Sequence, residues 1–348
     1  MYVTSIILLF LIISLVVSKR KDYKGLYSFD KTTTLPLRGV LALLIVSHHL
    51  GQRTDIFPLS NFTSGIGAPI VSIFFFISGY GLCLSYISKG ENYFNGFLRK
   101  RLGKLLPKFI ILTVGMMLIY HFSDFYTKPI DIQTKCLIFE GKTPLPNSWF
   151  IYAIVYIYIS YFICSLAVRS PFKLGMLFTL STILYIFVLA VVLQYQKYWY
   201  NTILCVNFGY FTAYYEKSIS RFIEKNRLPS YALVIIALIS SYELCGLSRA
   251  FYPVWMAVQA FSVYIIIRTL KFFHWKWLCQ LGVYSLEIYL VHGIPLQLGQ
   301  YIGLSNWTLW FFTYALSIVF AIFINYTFDL LSNSKRLYML NINNKNPF

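Results

Sequence analysis

Acidic residues are scarce: Asp and Glu number 12 in 348 residues, and all charged residues together make up 12%, about half the ~25% of soluble domains. An ordinary water-soluble globule is excluded. Absent too are the ~10-residue segments of alternating polarity that build a transmembrane β-barrel, because the apolar runs here are long and continuous. Cysteine is sparse at 6, with no CxxC, no Cys/His spacing suited to a metal and no paired loop cysteines for a disulfide. Cys83, Cys164, Cys205, Cys245 and Cys279 fall in or beside apolar runs, where a small polarizable side chain packs well, and Cys136 alone lies in a clear loop. Neither metal nor redox chemistry is indicated. No polar stretch is long enough for an independent core, the longest being about 122–148. Nor is there an internal repeat of the inverted-transporter kind.

What is present is apolar length. Hydrophobic residues make up 58% of the chain, in runs close to the ~20 residues that cross a bilayer. The expected fold is all-α: a polytopic transmembrane helix bundle of about 11 spans. The first run, Tyr2 to Ser18, has no positive n-region or small-x-small cleavage signal and is followed by Lys19-Arg20-Lys21, so it reads as a retained anchor with its N-terminus outside. Ten further spans are expected at roughly 37–54, 65–88, 105–121, 149–168, 174–194, 200–216, 229–247, 250–269, 278–297 and 307–331, which puts the C-terminus inside. The weakest are 105–121, with Lys108 near the interface, and 200–216, which is short and Tyr-rich. The domain layout is then an anchor and cytoplasmic linker (1–36), a transmembrane domain (37–331) and a cytoplasmic tail (332–348).

Charge supports this layout. Of the 30 Lys and Arg, 24 fall on the cytoplasmic segments and 6 (Arg53, Lys128, Lys135, Lys142, Lys197 and Arg249) on the other side, as the positive-inside rule requires. In the ambiguous 122–148 segment three Lys are matched by Asp124, Asp131 and Glu140. In a soluble protein a net charge of +18 would point to nucleic acid; here the charge orients the chain, and no nucleic-acid partner is implied.

Arg38 and His49 stand eleven positions apart in one apolar stretch. At ~100° and 1.5 Å per residue they share a helix face about 16 Å apart along the axis. Ionisable groups inside a membrane are costly, and a functional role is the default reading. Arg38 lies near the cytoplasmic face, where its planar guanidinium suits phosphate or pyrophosphate; snorkelling to the interface is the plainer alternative. The basic segment from Arg99 to Lys108 has the same exposure, and serves either anion binding through Arg99, Arg101 and Lys104 or topology alone. A neutral imidazole at His49 can act as general base toward a hydroxyl, or simply bond a neighbouring helix. His48 points about 100° away and reads as its structural partner.

Two other stretches carry polar groups. In Gly282 to His292, Ser285, Tyr289 and His292 share a stripe able to face a cavity, while Glu287 lies off it and needs a partner such as Arg38 or a basic loop residue. In Phe74 to Gly81, Ser78 and Tyr80 offer hydroxyls, and Gly79 and Gly81 permit close backbone approach. Packing and cavity lining are both open for these two stretches. Trp149 reads as an aromatic-belt anchor.

Taken together these motifs resemble the membrane-bound acyltransferase family 3, integral-membrane enzymes that modify bacterial surface glycans. The resemblance runs over about residues 32–331. The family's Arg-x10-His signature is similar to Arg38 and His49, and its Phe-Phe-x-x-Ser-Gly stretch to Phe75 through Tyr80, with the variable pair filled by alternate phasing of the Phe run. Its Arg-x-x-Arg-x-x-Pro segment is similar to Arg101 through Pro107, and its late Gly-x-Tyr-Ser-Leu-x-Ile-Tyr-Leu-x-His helix to Gly282 through His292. Two departures stand out: Lys104 replaces the usual Arg, which keeps charge but loses bidentate geometry, and an extra span precedes the Arg-x10-His helix.

The resemblance implies transfer of an acyl group, most often acetyl, from cytoplasmic acyl-CoA to a hydroxyl of a surface polysaccharide or lipid-linked glycan, in a multi-pass protein of the bacterial cytoplasmic membrane. Acyl-CoA is a co-substrate, and no bound cofactor is expected; glycan acceptor and membrane lipid are the partners. His49 would be general base or transient acyl carrier. Arg38 would orient the donor, with Arg99, Arg101 and Lys104 on the CoA phosphates, and Ser78, Tyr80, Ser285, Glu287, Tyr289 and His292 along the transfer path. The alternatives are a transporter or flippase of a glycan or lipid intermediate using the same polar cavity, and a scaffold within a polysaccharide-synthesis complex.

Overall fold

The computed structural model describes residues 2–19, 25–122, 142–270 and 275–343, with side chains as far as Leu330. Cys136, most of the 122–148 loop and Lys345 lie outside the described residues. No strand occurs among the described residues. Among the described residues eight helices are long and apolar enough to cross a membrane: Lys31–Gly51, Gly67–Phe94, Phe97–Ile119, Trp149–Ala167, Pro171–Val192, Arg227–Leu247, Arg249–Thr269 and Asn306–Leu330. The protein is a multi-pass membrane helix bundle. Helix α1 (Tyr2–Ser18), at 17 residues, is apolar but shorter; in chain order α3 is Leu59–Thr63, α7 Pro171–Phe187, α10 Arg227–Leu247 and α11 Tyr252–Thr269.

Helix α2 (Lys31–Gly51) starts earlier than its apolar run, because Asp30 caps it. The carboxylate accepts from the Thr32 hydroxyl at 2.6 Å and from the backbone N–H of Thr32 at 2.8 Å and of Thr33 at 3.3 Å, satisfying donors that a helix start leaves open. These bonds, the Thr32 hydroxyl foremost, hold the Asp30 carboxyl below its ordinary range. Pro36, with no N–H to give, sits in the second turn without stopping the helix.

Two expected spans are broken. Residues 200–216 hold turns and then the ten-residue α8 (Cys205–Tyr214), after which Glu216–Lys225 forms the separate helix α9. Ten residues rise only about 15 Å, and Glu216, Lys217, Arg221, Glu224 and Lys225 keep α9 at the surface with Ile223 its one buried residue. Residues 278–297 fall within three consecutive short helices, α12 (Lys276–Val283), α13 (Ser285–Val291) and α14 (Gly293–Tyr301). Pro295 explains the second break. It has no N–H for the Val291 carbonyl and its ring crowds that oxygen, so the helix interrupts at His292.

Reciprocal glycines set which helices touch. A Cβ on Gly39 of α2 would lie 2.3 Å from the Leu278 carbonyl oxygen, and one on Gly282 of α12 would lie 1.9 Å from that of Leu35. Helices α2 and α12 therefore meet backbone to backbone, the close approach that small residues permit in membranes. The same device joins α4 (Gly67–Lys89) to α8, where a Cβ on Gly79 would lie 1.7 Å from the Val206 oxygen and one on Gly209 2.0 Å from that of Phe76. Gly81 has open space instead.

Chain-distant bonds define two ends. At one, Arg268 donates to the Tyr27 carbonyl at 2.7 Å and pairs with Glu216 at 2.9 Å, and the Tyr86 hydroxyl donates to the Arg169 carbonyl. Lys31, Arg99, Arg169, Lys217 and Arg227 gather here. At the far end Trp310 Nε1 donates to Thr54 at 2.9 Å and the Asp55 N–H to Asn306 at 3.3 Å.

Between the ends a buried ion pair joins α5 (Phe97–Phe122), α13 and α15 (Asn306–Asn343): Lys108 bonds Glu287 and, at 3.1 Å, the Asn325 carbonyl oxygen Oδ1. Glu287→Ala strands an ammonium in the core and is expected to cost ~3–5 kcal/mol, while Lys108→Met with Glu287→Met together stay close to wild type. Thermal unfolding of the detergent-solubilised protein reads both.

Candidate active site

Helix α2 presents Arg38 and His49 to two different cavities. The first, of about 250 Å³, opens among α2, α4, α5, α6 (Trp149–Ala167) and α13, and its wall includes Arg38, Ser78, Arg101, Tyr158, Ser285 and Tyr289. Arg101 donates to the Tyr93 hydroxyl at 2.8 Å and its guanidinium lies 5.5 Å from the centre of the Tyr158 ring. Among the described residues no carboxylate lies within 4 Å of Arg38 or Arg101. Two guanidiniums without a counter-charge form a site for an anion, and their planar forks match phosphate oxygens.

The second cavity, of about 580 Å³, lies toward the far end and includes His48, His49, Gln52, Arg53, Trp149, Tyr198 and Tyr289. His49 Nδ1 sits 3.2 Å from Gln52 Oε1. The amide oxygen only accepts, so Nδ1 carries the proton and Nε2 keeps a lone pair. His292 stacks on His49 with ring centres 5.1 Å apart; its own Nδ1 donates to the Tyr289 carbonyl at 2.7 Å, and its buried Nε2 has no hydrogen-bond partner among the described residues. His48 is fixed differently. Its Nδ1 donates to the Thr63 carbonyl at 3.1 Å and its ring packs against Gly67, where a Cβ would lie 2.3 Å from Nε2.

Tyr289 is common to both walls. Its hydroxyl donates to the Asn147 carbonyl at 2.6 Å, and its ring lies 5.1 Å from that of Phe150. Helix α2 thus carries a guanidinium into one chamber and an imidazole into another, with one tyrosine between them. Such a layout suits a ligand whose anionic part is held in the first chamber while its reactive end meets a hydroxyl near the base in the second.

The family model of acyltransferase family 3, an acyltransferase domain, matches residues 37–326. The chain belongs to this family. No curated protein and no solved structure matches it.

In this membrane acyltransferase the geometry sorts the residues singled out by sequence. Arg38, Ser78, Arg101, Ser285 and Tyr289 meet in the first chamber; His49 and Tyr289 line the second, with His292 stacked behind His49. Arg99 and Lys104 do not join them. The basic segment forms the first turns of α5, where Arg99 points about 160° away from Arg101 while Lys104, one turn on, stays near its side; both are exposed and neither lines the chamber. Tyr80 lies in neither chamber, its ring packing 4.9 Å from Phe29 and 5.9 Å from Tyr264. Glu287 is committed to Lys108. Trp149 lines the second chamber, although it reads in sequence as an interfacial anchor.

Gln52, Tyr158 and Lys108 escape the sequence reading. Gln52 follows His49 by three, a spacing that makes helix neighbours. Gln52→Ala is expected to lower kcat on the order of tenfold, within the hundredfold that misplacing a reacting group costs, with KM for the acyl donor unchanged. Gln52→Glu retains the acceptor atom and is expected to restore most of the rate.

Proposed function

We propose that this acyltransferase moves an acyl group, in the simplest case acetyl, from acyl-CoA to a hydroxyl of a surface polysaccharide or lipid-linked glycan, in the cytoplasmic membrane of a bacterium. The concentration of Lys and Arg at one end supports a cytoplasmic position for the Arg38 chamber, the side on which acyl-CoA is made. There Arg38 and Arg101 hold donor phosphates, and the thioester arm runs toward Tyr289. From the opposite side the glycan brings one hydroxyl to His49. Nε2 takes the hydroxyl proton as the oxygen attacks the thioester carbonyl; the new C–O bond forms, the C–S bond breaks, and CoA leaves as a thiolate that is then protonated. The observation that carries this reading is the shared Tyr289 wall between an unpaired two-guanidinium chamber and an imidazole with a free Nε2.

Purified protein in lipid nanodiscs, given acetyl-CoA and glycan with no ion gradient, is the test. Release of CoA thiol matched by an acetyl-sized mass increase on the glycan is expected. A flippase releases no thiol, and that result contradicts the proposal.

A further inference from the structure

The first chamber changes character along its length. On α6 its wall is Tyr158, Ile154 and Phe150, a four-residue spacing that makes one stripe along a helix. Tyr158 stands at the cationic end, its ring beside the Arg101 guanidinium. Phe150 lies eight residues away, about 12 Å along the axis, and there the lining has turned aromatic. Phe74 comes from α4 with its ring centre 6.2 Å from that of Phe150, and Tyr289 from α13 at 5.1 Å. This end is also the boundary with the second chamber, since Tyr289 lines both, and Trp149, next in the chain to Phe150, lines the other. Both rings of the boundary are held in place. Phe150 also meets Phe75 at 4.9 Å and Trp149 at 6.4 Å, and the Tyr289 hydroxyl is tied to the Asn147 carbonyl.

We infer that Phe150 sets the length of the transferred acyl chain, closing the aromatic end of the first chamber so that acetyl fits and longer chains do not. This rests on the first chamber being the donor site. With the donor phosphates on Arg38 and Arg101 and the base beyond Tyr289, the thioester carbonyl has to stand at the boundary. Whatever extends past that carbonyl runs into the Phe150 ring. A close-packed ring gives way little, and overfilling an apolar pocket forces strained side chains. Removing the ring leaves an apolar cavity at that place, which added methylenes fill.

The test gives full-length protein in nanodiscs equimolar acetyl-CoA and butyryl-CoA in one vessel, with surface glycan extracted from a strain lacking the gene as acceptor. Mass spectrometry reads the ratio of the two acyl groups on the glycan. Both donors meet the same molecules, so the ratio does not depend on how much enzyme is folded. Wild type is expected to favour acetyl by about tenfold or more, the least that one methylene is worth in a closed apolar pocket. Phe150→Ala is expected to lose or reverse that preference, and Phe150→Leu, which keeps more of the packing, to fall between. Ile151→Ala is the control. Ile151 is fully buried on the same helix and lines neither chamber, so its truncation removes comparable packing and is expected to keep the wild-type ratio.

A wild type that uses butyryl as well as acetyl, or a wild-type ratio in both Phe150 variants, overturns the inference. So does an Ile151→Ala ratio shifted as far as that of Phe150→Ala, which makes general loosening the cause. Loss of all transfer in both Phe150 variants while Ile151→Ala stays active overturns it too, because an opened wall is expected to pass butyryl. Failure of the acyltransfer proposal looks different: wild type releases CoA thiol from neither thioester and the glycan gains no mass. Transfer of both chains alike removes only the length selection.

Discussion

His49→Ala is expected to lower acyl transfer by a factor of ~10²–10⁴, the contribution of a positioned general base, while KM for the acyl donor stays near wild type. The separation follows from geometry. His49 faces the second chamber and the two guanidiniums proposed to hold the donor line the first, so its loss leaves them in place. The variant is also expected to insert and fold, because the one hydrogen bond that the imidazole makes runs to Gln52, an exposed residue. His48→Ala gives the opposite pattern. That ring bonds the Thr63 carbonyl and packs on Gly67, so its removal lowers the melting temperature more than the rate per folded molecule. Initial rates over a range of acyl-CoA concentrations, normalised to folded protein, distinguish the two. A His49→Ala enzyme with wild-type kcat ends the assignment.

Arg38→Ala is expected to raise KM for acyl-CoA by about 10- to 150-fold, the worth of a hydrogen bond between charged groups. Arg101→Ala acts in the same direction through the same chamber. Arg38→Lys recovers only part, since an ammonium keeps charge but not the planar fork. The sharper control lies on the same helix as Arg101. Arg99→Ala and Lys104→Ala remove equal charge from exposed positions outside the chamber, and surface charge alone moves KM little at physiological salt. If all four alanine variants raise KM alike, general attraction of the anion to a basic surface replaces the two-guanidinium site.

The long apolar runs and the Arg38/His49 pair are legible in the sequence because both rest on helix periodicity, which burial in a bundle does not alter. So is the stripe of Ser285, Tyr289 and His292, whose members reach the chambers or stack on His49. The breaks near Tyr215 and His292 are not, because hydropathy sums over a window and passes over one proline or a local run of charge. Tyr80 shows a different limit. It stands next to Gly79, whose backbone meets Val206, and with α4 held there Ser78 faces the chamber while Tyr80 meets Phe29, a contact between helices that the sequence does not display. Lys108 reads as one more positive charge near the interface, because its partner Glu287 lies 179 residues away.

Sided reconstitution tests the two-chamber account most directly. With the protein inserted in one orientation in sealed vesicles, acyl-CoA is confined to the side of the Arg38 chamber and glycan acceptor to the side of the His49 chamber. Acylated glycan is expected in this arrangement, and none when the two are exchanged. Product that forms only when donor and acceptor share one side contradicts the account.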